Sequence, residues 1–251
     1  MLTDNTQRFT VRAEDYSKYR PRYPAALLDL MREECGWTPA AVVADVGSGT
    51  GLLTELFLQA GSPTVGVEPN SKMRLAAEAA FAHYSHFTSV AATAEATTLP
   101  THSVDFITVG QALHWFNLPE ARREFARILK PGGWVVLVWN TPRTTGTPFA
   151  EALQHVWNTH LFNLAADQEE DLFTPLFGPQ PYFKRVLPNL DQPHTFERLL
   201  GRFRSSSHAP LPADPRYPAM VADLQTLFDT HQQNGVVLFD HDTDVVWGQI
   251  A

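Results

Sequence analysis

The chain predicts a doubly wound α/β fold, and three observations predict it. From about Ala41 to Asn140, apolar strand-like runs alternate with helical patterns, as in a parallel sheet with crossover helices. The run Val42-Val43-Ala44-Asp45-Val46 leads into Gly47, Gly49 and Gly51, and the helical spacing Leu52, Leu53, Leu56, Phe57 follows at once. A second run, Thr64-Val65-Gly66-Val67, ends in Glu68, roughly 20 residues past the glycines, where an acid can reach ribose hydroxyls.

The elements follow in order. Residues 1–24 form an irregular arm rich in Arg, Tyr and Pro, in which X-Pro steps push Arg20 and Tyr23 toward extended backbone. The spacing Leu27, Leu28, Leu30, Met31 predicts a helix closed by Gly36. After the first two strands, Ser71-Lys72-Met73 opens a helix that runs to about Tyr84. Beyond Trp139 the alternation stops at Pro142, Gly146 and Pro148. Phe149–Leu164, Phe196–Phe203 and Tyr217–Thr230 read as helices, and Tyr182–Leu187 as a sixth strand. Val236–Phe239 and Val245–Trp247 form either a hairpin or one long bent strand. The expected organisation is one domain: an arm and helix over the site (1–36), a ligand-binding core (37–141), and a helical elaboration carrying the last strands (142–251).

Composition narrows the function. At 251 residues the chain can bury one good core, and its 44% hydrophobic and 18% charged content is ordinary for a globular protein. A net charge of −8 opposes general binding to nucleic acid or anionic membranes. One cysteine, Cys35, allows no intramolecular disulfide and fits a reducing compartment. The N-terminus is polar and no apolar run is long enough to span a bilayer, so a cytoplasmic, soluble protein is expected. There is no H-E-x-x-H and no C-x-x-C, and no metal is expected.

The glycine spacing selects among ligands. A dinucleotide turn places a small residue at the third position of G-x-G-x-x-G/A, and here that position is Leu52. Asp45, two residues before the first glycine, would repel a pyrophosphate. S-adenosylmethionine (SAM) carries an adenosine, an amino-acid tail and a sulfonium cation but no phosphate, and suits a carboxylate beside a backbone-lined turn. A dinucleotide-dependent oxidoreductase and a SAM-binding protein without transferase activity are the rival classes.

Further blocks extend the comparison. Tyr16-Ser17-Lys18-Tyr19-Arg20-Pro21-Arg22-Tyr23-Pro24, the glycine turn and Glu68 are joined by Val90-Ala91-Ala92-Thr93-Ala94-Glu95 with Leu99-Pro100. Asp105 through Phe116 and Ile128-Leu129-Lys130-Pro131-Gly132-Gly133 with Trp134–Trp139 complete the series. In this order the blocks resemble the class I SAM-dependent methyltransferases of the type 11 kind, in the branch that includes trans-aconitate-methyltransferase-like proteins. The resemblance is strong over roughly residues 12–141 and weak beyond. It implies a Rossmann-like, mostly parallel seven-stranded sheet with one antiparallel strand between the fifth and sixth, SAM as cofactor, and a small-molecule acceptor. It also implies that Val90–Glu95 cradles adenine, that Asp105–Phe116 is the fourth strand and active-site loop, and that Trp134–Trp139 is the fifth strand. The insert between the fifth and sixth strands is expected to choose the acceptor.

Candidate site residues follow from these readings. For the cofactor they are Asp45, Gly47, Ser48, Gly49, Glu68, Pro69, Thr93, Ala94, Glu95, Gln111, Tyr19 and Arg20; many relatives have an acid where Thr93 stands. Arg20 can clamp a carboxylate, of the methionyl tail or of the acceptor, bidentately. His114 is the candidate base; it can equally contact the acceptor or pack as a structural ring. Tyr16, Trp115, Arg204 and Ser205 are candidate acceptor contacts. The reaction expected is O-methylation of a carboxylate or hydroxyl, by a monomer or weak homodimer that binds neither nucleic acid nor membrane.

Overall fold

The computed structural model describes residues 13–161, 171–189 and 193–250. Helix α1 (Ala13–Tyr19) and α2 (Ala26–Cys35) precede β1 (Val43–Val46), α3 (Leu52–Gln59), β2 (Thr64–Val67), α4 (Ser71–Phe81) and β3 (Phe87–Val90). Then come β4 (Val104–Gly110), a short 3₁₀ turn (Leu113–Trp115), α5 (Leu118–Ile128) and β5 (Leu129–Pro142). The C-terminal part adds α6 (Pro148–His160), α7 (Phe173–Phe177), β6 (Tyr182–Asn189), α8 (Phe196–Arg204), α9 (Tyr217–His231) and β7 (His241–Gly248).

The seven strands form one sheet in the order β3-β2-β1-β4-β5-β7-β6. Pairs from β3 to β5 are parallel, and β7 is antiparallel to both β5 and β6, so the antiparallel strand lies where the resemblance implied. The reversal between β1 and β4 puts the carboxyl ends of β1, β2 and β4 at a topological switch point, where open α/β sheets bind ligands.

Local chemistry sets the boundaries near the site. Asn70 caps α4 by accepting from the N–H groups of Lys72 and Met73. Gly36 closes α2 at φ 68°, as expected. Strand β3 ends at Val90, so the block Ala91–Glu95 is loop rather than strand. Strand β5 begins at Leu129 and shifts register against β4 between Val104 and Phe106, so the Lys130–Gly133 turn is absorbed as an irregularity at its start. At the C-terminus Val245–Trp247 is part of the long strand β7, whereas Val236 closes a tight turn with Gln233 and Val237 bridges His194. The predicted helix end at Leu164 lies outside the described residues; α6 ends at His160.

Two buried clusters sandwich the sheet. Val46, Ile107, Val109, Phe125 and Leu137 fill one side, and Leu27, Trp37, Val43, Phe57 and Val136 fill the other. A third cluster, including Leu153, Leu199, Leu224 and Phe239, packs α6, α8 and α9 together. Among the described residues no helix is long and apolar enough to cross a membrane.

Candidate active site

The glycine turn is fixed by both neighbours. The N–H groups of Gly47 and Ser48 donate to Val67 O at 2.8 and 3.2 Å, which ties the end of β1 to the end of β2. All three glycines have positive φ, but they do different work. A Cβ on Gly51 would stand 2.2 Å from the Phe81 ring, and one on Gly47 would stand 2.7 Å from Ala112 Cβ. At Gly49 the nearest atom is the flexible Met73 methyl at 3.4 Å. Gly51 thus allows α3 to approach α4, while Gly47 and Gly49 line a cavity.

Glu68 lines the same cavity from the end of β2. Its Oε2 accepts from Gly49 N–H at 2.9 Å and its Oε1 from Asn70 N–H at 2.7 Å. Burial pushes its carboxyl pKa up, and these two N–H donors together with the nearby Arg74 oppose the shift.

Asp45 is 1% exposed and does not line the cavity. Its carboxylate accepts from Thr54 Oγ1 at 2.6 Å and Thr108 Oγ1 at 3.2 Å. Burial raises its pKa to about 6, opposed by those hydroxyls and reinforced by the charge of Glu68. The expected ligand-facing acid is therefore a support that joins β1, α3 and β4.

The opposite wall comes from the end of β4: Gly110, Gln111, Ala112, Trp115 and Phe116. Gln111 sits at φ 60°, uncommon for a residue with a side chain. Its backbone N–H donates to Val138 O and its Nε2 to Asn140 O, each at 3.0 Å, so β5 fixes both. Gly110 leaves room for Tyr23, whose hydroxyl lies 2.7 Å from where a Cβ would stand. His114 belongs to the same turn, but its side chain is exposed, its ring lies 4.6 Å from that of Trp115, and it does not line the cavity.

Two regions predicted independently prove to be one cluster. The arm and α8 clasp each other: Tyr19 OH donates to Glu197 at 2.9 Å, Arg204 pairs with Asp15 at 2.8 Å, and Arg20 Nη2 donates to Ser205 O at 3.1 Å. Three expectations change as a result. Tyr19 turns its hydroxyl to Glu197 and its ring to Gly201, rather than to the cavity. The Ser205 hydroxyl donates to Arg202 O at 2.6 Å and is fully buried at the end of α8. Arg204 is engaged by Asp15. Tyr16 does line the cavity, and the Arg20 guanidinium lies 5.0 Å from its ring centre. Arg20 Nε is buried without a hydrogen-bond partner among the described residues.

The expected adenine side is only partly assembled. Glu95 accepts from Asn117 N–H at 2.8 Å and so holds the start of α5. Ala94 is buried, and Thr93 turns back on Ala96. Pro69 is exposed and its carbonyl accepts from Arg74, while Ser48 packs beside Gly66. None of these five lines the cavity. The candidate list left out Asn70 and Met73, and also Gly110, Ala112 and Phe116 within the block read as the active-site loop; all five line the cavity. Asn70 carried a readable signal, an amide one residue before a helix. Met73 carried none, because only the packing of α4 turns it inward; for the loop residues the block was legible but not which side chains face the cavity. Among the described residues no group of three or more His, Cys, Asp or Glu is placed to hold a metal ion.

Fold and site together define a Rossmann-like sheet with its cavity at the switch point. Residues 44–137 match a family described as "Methyltransferase domain". An uncharacterized methyltransferase of Mycobacterium tuberculosis is 38% identical over 128 residues, covering 50% of this chain and 49% of the relative. An uncharacterized methyltransferase-like protein of Schizosaccharomyces pombe is 31% identical over 150 residues, covering 59% and 57%. The chain spans about half the length of the curated relatives it matches first. A solved structure from Anaeromyxobacter dehalogenans, provisionally assigned as a type II methyltransferase, superposes with a TM-score of 0.69 at 21% identity over 92% of this chain and 97% of that one. One from Anabaena variabilis, provisionally assigned as a methyltransferase from an antibiotic biosynthesis pathway, gives a TM-score of 0.60 at 20% identity over 91% of this chain and 99% of that one. These two likenesses establish the fold.

Proposed function

We propose that this chain is a SAM-dependent methyltransferase of a small molecule, with a carboxylate or hydroxyl oxygen as acceptor. One observation carries the cofactor reading: Glu68 and the open Gly49 meet in a cavity at the ends of β1 and β2. Each Glu68 oxygen accepts one backbone N–H and keeps a second lone pair, which fits a ribose diol. SAM, when bound, supplies an electrophilic methyl on a sulfonium. Gln111, Tyr16 and Trp115 would hold the remaining parts of the ligands on the facing wall. Holding the reactants in line can supply roughly 7–11 kcal/mol, so a base is not obligatory.

Arg20, with its buried Nε, would take a carboxylate of the cofactor or of the acceptor. For a hydroxyl acceptor the exposed His114 at the rim would take the proton; a carboxylate acceptor has none to give. Thr93, Ala94 and Glu95 would contribute on the adenine side. We place the protein in the cytoplasm, as a monomer or weak homodimer.

Thermal unfolding with added ligand tests the cofactor. SAM and its demethylated product should raise the melting temperature while NAD does not; ligand at about 100 times its dissociation constant adds about 2.7 kcal/mol. No shift with either form at millimolar concentration sinks the assignment, and a shift with NAD alone favours an oxidoreductase. A labelled-SAM screen of acceptors then tests the reaction. On the acceptor found, loss of kcat by about 10²–10⁴-fold in His114→Ala marks a hydroxyl route. A raised KM in Arg20→Ala with little effect from His114→Ala marks a carboxylate route.

A further inference from the structure

Asn140, near the end of β5, bonds the arm, Gln111 and strands β6 and β7 without lining the cavity. It is 7% exposed and is not a lining residue. Its Nδ2 donates to Pro21 O at 3.2 Å and Arg22 O at 3.4 Å, both in the arm. Its Oδ1 accepts from Thr243 Oγ1 on β7 at 2.6 Å and from Asn189 Nδ2 on β6 at 3.0 Å. An amide offers two donor hydrogens and two lone pairs, so the side chain is saturated and has nothing left for a ligand. Its backbone O takes the Nε2 of Gln111, at 3.0 Å.

Both fastened groups are wall elements. Gln111 lines the cavity in a backbone conformation that its surroundings must enforce, and the Asn140 carbonyl is one of its two attachments to β5. On the arm, Pro21 and Arg22 sit between Tyr16 and Arg20 on one side and Tyr23, packed over Gly110, on the other. Asn189 also donates to Arg22 O, at 2.8 Å, so the two amides clamp the arm together.

We propose that Asn140 is a positioning residue: the two donor hydrogens of its amide hold the arm, and its backbone carbonyl holds Gln111, so that β5 sets the arm against Gln111 across the cavity. This rests on the reading of the cavity as a SAM site. It gives β5 a role in cofactor binding although none of its side chains lines the cavity.

The test uses the full chain and S-adenosylhomocysteine. Asn140→Asp keeps the acceptor side toward Thr243 and Asn189 but loses the donor pair to Pro21 and Arg22. Asn140→Ser loses the same pair, and with its shorter side chain the acceptor as well, without burying a charge; it serves if the first variant fails to fold, with Thr243→Val reading the acceptor loss separately. Thr243→Val is the structural control, because it removes one hydrogen bond from the same amide and leaves both donors. The expected result is a loss of S-adenosylhomocysteine affinity of about tenfold or more in the Asn140 variants, with Thr243→Val within about twofold of the parent. In the parent, ligand should protect the Lys18–Tyr19 and Arg22–Tyr23 bonds from trypsin, and in the variants that protection should be lost. Parent-like affinity in both Asn140 variants overturns this inference alone, as does an equal loss in Thr243→Val. No binding by the parent overturns the cofactor reading and the inference with it.

Discussion

Strands β1 to β4 and strands β5 to β7 share one sheet but hold the site by different means. On the first side the chain meets itself over short distances: Gly47 and Ser48 bond the end of β2, and Glu68 bonds Gly49, 19 residues away. On the second side the contacts are remote. Asn140 reaches Pro21 across 119 residues and Thr243 across 103, and Arg20 reaches Ser205 across 185. The first side presents backbone groups and a carboxylate to the cavity. The second sets where the opposing wall stands. An α/β switch point can thus be assembled from a local turn, while the closure above it depends on the whole sheet.

The largest expected effect breaks the first side. Gly51→Ala puts a Cβ into the Phe81 ring at φ 86° and should cost roughly 2–5 kcal/mol, the sum of left-handed strain and overpacking. Gly49→Ala meets only the flexible end of Met73, so it should cost about 1–2 kcal/mol of strain while weakening the proposed SAM binding. Urea unfolding of the two variants checks the contrast; equal losses would mean that the glycines are interchangeable.

Asp45 gives the next effect, in pH. Its pKa is raised from 3.8 to about 6, so the native state holds a proton that the unfolded chain releases. Its contribution to stability is full below pH 3.8 and is lost as pH rises through about 6. The difference amounts to about 3 kcal/mol. Asp45→Asn should remove that part of the slope between pH 4 and 6. Identical slopes in parent and variant, measured by denaturant unfolding, would show that Asp45 does not carry the shift.

Glu68→Ala follows. It deletes the acceptor of Gly49 and Asn70 as well as the proposed ribose contact, so a loss of about 1.5–3 kcal/mol, or roughly 10–150-fold, in cofactor affinity is expected. Calorimetric titration checks it, and unchanged affinity returns Glu68 to a purely structural role. The smallest effect belongs to the exposed edge of the arm–α8 clasp. Lys18 and Glu197 are both exposed, and Lys18→Ala should change stability by less than about 1 kcal/mol. A larger change would show that this exposed pair bears weight in the arm–α8 clasp.

The site was legible where its chemistry is local. Three alternate glycines after an apolar run, and an acid at the end of the next run, predict their own geometry, and Gly47, Gly49 and Glu68 meet in the cavity as read. Gln111, Tyr16 and Trp115 were also legible through the resemblance. Tyr19 and Ser205 were not, because polar residues near a site spend their hydrogen bonds on whichever neighbours the fold supplies, here Glu197 and Arg202. Glu95 likewise went to the start of α5.

By itself the sequence determined the strand and helix alternation, the glycine turn and the acid after β2, since backbone freedom and hydrophobic period act within a few residues. Only the tertiary structure decided that Asp45 turns to Thr54 and Thr108, that the arm and α8 form one clasp, and that Asn140 joins the arm to the last strands. Those outcomes depend on which distant groups burial brings within hydrogen-bonding reach, and a buried polar group must take the partners it finds there.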